Sequence, residues 1–250
     1  MAQKSVELNS SRSRIHRLRL SLSQQRADAL LVTHLPNIRY LCGFSGSSAI
    51  LLVESSRATL FTDSRYTLQA REEVHGAAVS IVRHGLLRGV GETLKRRRGR
   101  LRVGFAPSQL TVAQKGALHS FAGARLRWVP VPGEIERLRA FKDAAELAVM
   151  REAALLISDV WTEALRHVRP GVSELAVAAE MERAMKLRGA SGPSFETIVA
   201  SGPRSAWPHA QPTPKLLKKN ELVVLDQGAI LRGYCSDMTR TVFLGRAAGR

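Results

Sequence analysis

Between residues 29 and 132 short apolar runs alternate with amphipathic stretches. The runs Ala29–His34, Ala49–Val53, Ala58–Thr62, Ala78–Arg83, Arg102–Phe105 and Arg125–Val131 are rich in Val, Ile and Leu and have the length of strands. Ser64–Glu73, Leu86–Arg98 and Thr111–Phe121 have helical spacing, with Asp63 or Ser64 and Thr111 placed to cap the first and last. Strands interleaved with helices predict an α/β layer domain built on one mixed sheet. Pro130-Val131-Pro132-Gly133 interrupts the alternation, and the domain boundary is set there, between residues 132 and 133.

The second part has another texture. Residues 142–168 place Leu147, Met150, Ala154, Ile157, Trp161 and Leu165 three or four apart, which predicts a long amphipathic helix ended by Arg169-Pro170-Gly171. Ser173 caps a second helix with Leu175, Ala178, Met181 and Met185 on one face, and Gly189 closes it. Strands follow at Phe195–Ala200, Leu222–Ala229 and Tyr234–Leu244. Two helices and then antiparallel strands make an α+β pattern.

Composition narrows the function classes. With 250 residues and 44% apolar content the chain can bury a substantial core, which excludes a disordered protein. No apolar run reaches the roughly 20 residues of a membrane helix, and the start MAQKSVELNSSRSRIHRLRL lacks the apolar core of a secretory signal. Cys42 and Cys235 have no metal-knuckle spacing and are expected as reduced thiols in a cytoplasmic protein. The net charge is +17, and residues 1–132 carry 21 of the 38 basic residues but 7 of the 21 acidic ones. The run Lys95-Arg96-Arg97-Arg98-Gly99-Arg100 invites a nucleic-acid reading, but with 5% aromatics there is little to stack bases on. A solvated basic face is the expectation, and nucleic acid is not an expected partner.

The stretch with chemistry is Leu222–Gly245, LVVLDQGAILRGYCSDMTRTVFLG, two apolar runs around a turn containing Gly233. A turn centred on Leu231 and Arg232 sets Asp226 directly opposite Asp237, with Cβ atoms about 4.5–5.5 Å apart. Two carboxylates so close either hold a proton or a cation between them, or flank turns and face solvent. A divalent ion with a taste for oxygen, such as Mn, Co, Zn or Mg, suits the pair. Upstream, the loop Ala200-Ser201-Gly202-Pro203-Arg204-Ser205-Ala206-Trp207-Pro208-His209 is stiffened by Gly and two Pro and presents one imidazole, either a surface residue or a hydrogen-bond donor to substrate.

FETIVASG, the Pro208-His209 pair and DQGAILRGYCSDMTRT together resemble the creatinase/prolidase, or "pita-bread", metallopeptidases, and most of all their Xaa-Pro aminopeptidases and dipeptidases. ADALLVTHLPNIRYLCGFSGSSAILLV and LFTDSRY resemble that family's N-terminal domain, and RLRAFKDAAELAVMREA the start of its catalytic domain. The resemblance implies a creatinase-type α/β domain over 14–132, a mixed sheet with helices, followed over 133–250 by the first half of an α+β pita-bread domain. It implies that Asp226 and Asp237 are metal ligands, Asp237 bridging two ions (Mn, Co or Zn), and that His209 contacts substrate. The reaction implied is hydrolysis of the bond before proline in proline-containing peptides by a hydroxide that two metals activate.

The family's three other ligands, a His and two Glu, come from the second half of its catalytic domain and are not among these 250 residues. The expectation is therefore an incomplete site, inactive or impaired alone, in a homodimer or beside a chain that supplies the rest. The alternative from another class is a non-catalytic peptide- or protein-binding module on the same fold.

Overall fold

The computed structural model describes residues 2–246, which divide into two compact units on either side of the Phe141–Lys142 bond. The first contains α1 (Ala2–Gln24), β1 (Ala29–Val32), α2 (Leu35–Cys42), β2 (Ala49–Glu54), β3 (Ala58–Asp63), α3 (Thr67–Glu73), β4 (Ala78–Val82), α4 (Leu86–Lys95), β5 (Leu101–Phe105), α5 (Val112–Ala122), β6 (Leu126–Pro130) and α6 (Glu134–Ala140). Its six strands form one mixed sheet in the order β4-β3-β2-β1-β5-β6, antiparallel on both sides of β2 and parallel elsewhere.

The near-continuous apolar runs of β1 and β2 follow from burial on both faces. Leu30, Val32, Leu51 and Val53 face a layer containing Ile15, Leu18 and Leu22 of α1, Ile38 and Leu41 of α2 and Ile135 of α6. Ala29, Leu31, Ile50 and Leu52 face Val90 and Leu94 of α4 and Leu118 of α5. Each fully buried Leu or Ile contributes about 1.5–3 kcal/mol. Helix starts follow the sequence signals: Thr111 and Gln114 form a reciprocal capping box, as do Asp143 and Glu146 ahead of the second unit's first helix.

Two sequence expectations differ from the structure, and one helix had not been assigned. The strand beginning at Ala29 stops at Val32, because α2 begins at Leu35, with His34 in the N-cap position and Pro36 in the first turn. The N-terminal stretch is helical, and its Ile15, Leu18 and Leu22 sit in the core at helical spacing. The first unit also runs on to Phe141 rather than stopping at Pro132, since α6 buries Ile135 against the sheet.

The second unit comprises α7 (Ala144–Ala164), α8 (Glu174–Leu187), β7 (Gly192–Pro193), β8 (Ile198–Ser201), β9 (Leu222–Gln227), β10 (Ala229–Leu231), β11 (Tyr234–Cys235) and β12 (Met238–Phe243). The strands make two small antiparallel sheets, β11-β10-β7 and β12-β9-β8. Val199, Val223 and Leu225 pack on Leu156, Ile157, Val160, Val177 and Met181 of the helices. The buried stripe of α7 is Ala153, Leu156, Ile157, Val160 and Ala164, one position round from the expected one, and Leu147 and Leu165 are exposed. Both stripes repeat every three or four residues, and contact with the sheet selected between them.

Candidate metal and substrate site

The long hairpin closes at Arg232-Gly233, with Leu231 paired to Tyr234 and both turn residues at positive φ (+48° and +83°). That is the type I′ geometry that matches strand twist. The turn is centred one residue later than the sequence reading placed it, and every pair shifts accordingly. Asp226 lies opposite Thr239, not Asp237, on one side and opposite Ile198 on the other. Asp237 lies immediately before β12, in the two-residue link from β11.

A shift of two in partner number preserves the face. Asp237 lies outside both strand pairs; the register continued across the link would set it opposite Gly228, one diagonal step from Asp226, where Cα separations in a regular ladder are roughly 7–8 Å. The expected direct juxtaposition of Asp226 and Asp237 is therefore absent. Asp226 is half-buried and Asp237 is exposed.

The two strand pairs part at Gly228 and Ala229, across from Asp237 and Ser236. A Cβ on Gly228 would overlap Ser194 Oγ, the carbonyl of Ser236 and the ring of Phe195. The absence of a side chain lets Ser194 Oγ donate to Ser236 O (2.8 Å), and Ser194 N–H donate to Gly228 O (2.9 Å). Glycine is needed here for space. Its φ is not in the left-handed region.

Thr239, which the sequence reading did not single out, donates its hydroxyl to Asp226 Oδ1 at 2.7 Å. It holds one oxygen of that carboxylate. This is how metal-binding carboxylates are commonly oriented. The signal was a hydroxyl residue in the expected ladder, visible only once the register was known.

His209 lies in an exposed turn after a 3₁₀ turn at Gly202–Ala206. Arg204 stacks on Trp207, 5.0 Å from the ring centre, and donates to Gln211 O at 2.5 Å. The loop is held at its base by Glu174, a fully buried carboxylate at the start of α8. Its Oε1 accepts from Ser201 N–H (2.8 Å) and Oγ–H (2.7 Å), and its Oε2 from Thr213 N–H (3.1 Å) and Oγ–H (2.8 Å). Arg204 Nε stands 3.5 Å from Oε2. Lys215 Nζ donates to Ser201 Oγ (2.5 Å) and to both oxygens of Glu221 (2.9 and 3.0 Å). Burial pushes the Glu174 carboxyl upward, but the donated bonds from Ser201 and Thr213 outweigh it and hold it below the ordinary value.

The Ser201–Lys215 contact has the look of a nucleophile and its base. Ser201 is fully buried and Lys215 is committed to Glu221, so the pair is structural. As donors for a metal, Asp226 and Asp237 have the right chemistry, hard and anionic. Among the described residues no three His, Cys, Asp or Glu side chains gather closely enough to hold an ion.

Comparison with known proteins agrees with both units. Residues 14–141 match the Creatinase/Prolidase N-terminal domain, and residues 148–250 match Metallopeptidase family M24. An uncharacterized peptidase of Bacillus subtilis is 38% identical over 235 residues, covering 93% of this chain and 65% of its own length. The Xaa-Pro dipeptidase of Pyrococcus horikoshii is 30% identical over 225 residues, covering 90% and 62%. Among solved structures, an Xaa-Pro dipeptidase from Bacillus anthracis superposes with a TM-score of 0.87 at 33% identity, over 95% of this chain and 66% of that one. The chain thus spans slightly less than two thirds of the length of these relatives. No helix among the described residues is long and apolar enough to cross a membrane.

Proposed function

Because the chain belongs to the creatinase/prolidase family, joining its N-terminal domain to part of an M24 metallopeptidase domain, we propose that it serves the hydrolysis of Xaa-Pro peptide bonds. What supports this reading is the family membership together with an Asp on each arm of the hairpin, Asp226 in β9, whose Oδ1 accepts from Thr239, and Asp237 just before β12. Asp226 and Asp237 would hold divalent ions, Mn, Co or Zn. Such ions, when bound, polarise the peptide carbonyl and acidify water. His209, on its stiffened turn, donates a hydrogen bond to the bound peptide. Two carboxylates alone hold an ion weakly, so the family's His and two Glu would be needed to complete the site. Two free cysteines, one buried at Cys42 and one exposed at Cys235, suit a reducing cytoplasmic setting.

The test is cleavage of Xaa-Pro dipeptides and longer Xaa-Pro peptides by the purified 250-residue chain, with and without Mn. The chain alone should bind Mn weakly and turn over little. Addition of a polypeptide with the family's remaining ligands should restore ion binding and cleavage together, and Asp237→Ala should abolish both. Mn-dependent turnover by the chain alone, lost in Asp237→Ala, would overturn the ligand count. Complementation that restores peptide binding without cleavage would favour a binding module instead.

A further inference from the structure

We propose that Glu174 is the positioning residue of the His209 loop, one buried carboxylate clamping both ends of the segment 202–212. The proposal rests on the reading of His209 as a substrate contact and deepens it. A carboxylate at the first position of a helix ordinarily answers the helix's own exposed N–H groups. In α8 that work is done by Ser173, whose Oγ accepts from Ala176 N–H at 3.1 Å. All four hydrogen bonds to Glu174 come instead from Ser201 and Thr213, two on each oxygen. Those residues are the last before the loop and the first after it.

Inside the loop, Arg204 reaches Gln211 O and Trp207, and Gln211 Nε2 donates to Glu196, but few side chains are buried. Trp207 is 59% exposed, Pro208 and His209 are exposed, and Ala210 is its buried side chain. The far flank is also tied to the helix end, since the N–H groups of Glu174 and Leu175 donate to Lys215 O and Thr213 O. The near flank is joined to the far one a second time through Lys215 Nζ on Ser201 Oγ. An ionised carboxylate with no water around it is costly unless every lone pair is used. Here they are used on both strands of the loop's base, so the cost of burial is offset only while the base stays closed. The carboxylate therefore converts a flexible loop into a fixed mount for the imidazole.

Amide hydrogen exchange on the 250-residue chain tests this, read at Ser201, at Thr213, across 202–212 and along α8, in the wild type, Glu174→Gln and Glu174→Ala. Gln offers one acceptor oxygen and one NH2 group, so one flank loses its acceptor and the amide of that flank should exchange about tenfold faster. Ala releases both flanks, and the whole loop should follow. Ala178 and Met181, inside α8, should keep wild-type rates. The Gln variant carries the test if the Ala variant does not fold. Unchanged loop rates in Glu174→Gln, or a uniform rise throughout residues 142–250, would overturn the proposal. No substrate enters these measurements. A complemented enzyme whose KM is indifferent to His209→Ala would remove the substrate role of His209 and leave the clamp standing.

Discussion

Gly228→Ala is the sharpest test of how the hairpin is built. The added methyl meets three groups that differ in how far they can yield. Ser194 Oγ can rotate away, at the loss of its 2.8 Å bond to Ser236 O, which is worth about 1 kcal/mol. The ring edge of Phe195, 2.8 Å from the ideal Cβ, must shift as well. The Ser236 carbonyl is main chain, and Ser236 N–H is tied to Ala229 O at 2.9 Å, so it moves only by opening the ladder. Overpacking of a filled site costs about 1–3 kcal/mol, and with the lost bond the second unit should be destabilised by roughly 2–4 kcal/mol. The assay is urea unfolding in a Trp128→Phe background, where Trp161 and Trp207 report on the second unit. Its midpoint should fall without a change in the first unit's circular dichroism transition. Ser194→Ala combined with Gly228→Ala should recover only part of the loss, because the carbonyl remains. A double variant as stable as the wild type, or a single variant within about 0.5 kcal/mol of it, would refute the claim that backbone crowding demands glycine at this position.

Two further outcomes follow from the same geometry. Residues 1–141 expressed alone should melt cooperatively, whereas a segment ending at Pro132 loses the burial of Ile135 and should be about 1.5–3 kcal/mol less stable in urea; equal midpoints would place the boundary at 132. The Glu174 carboxyl is held below its ordinary value of 4.5, so the unfolded chain takes up its proton first as pH falls. Its stabilising contribution is complete above about pH 4.5 and is lost on acidification through the lower folded value. Urea midpoints of the second unit should therefore fall more steeply below that pH in the wild type than in Glu174→Gln, and parallel curves would show that the carboxylate contributes nothing.

Element types were legible in the sequence because they depend on neighbours a few residues apart. The buried runs of β1 and β2, the capping box at Thr111 and the punctuation at Gly189 all act within one turn or one strand. So was the hairpin that carries Asp226 and Asp237, since two apolar runs around a Gly-containing turn are a local pattern. The exact partner was not, because register depends on where two residues of positive φ fall, and Arg232 is an uncommon occupant of that conformation. Nor was the choice between two equivalent stripes on α7, which only the sheet beneath it decides. Glu174 was hidden for the same reason. In the chain it is the residue after a helix cap, 27 positions from Ser201 and 39 from Thr213. Only the fold brings those donors to one carboxylate, and only their number lets the charge stay buried.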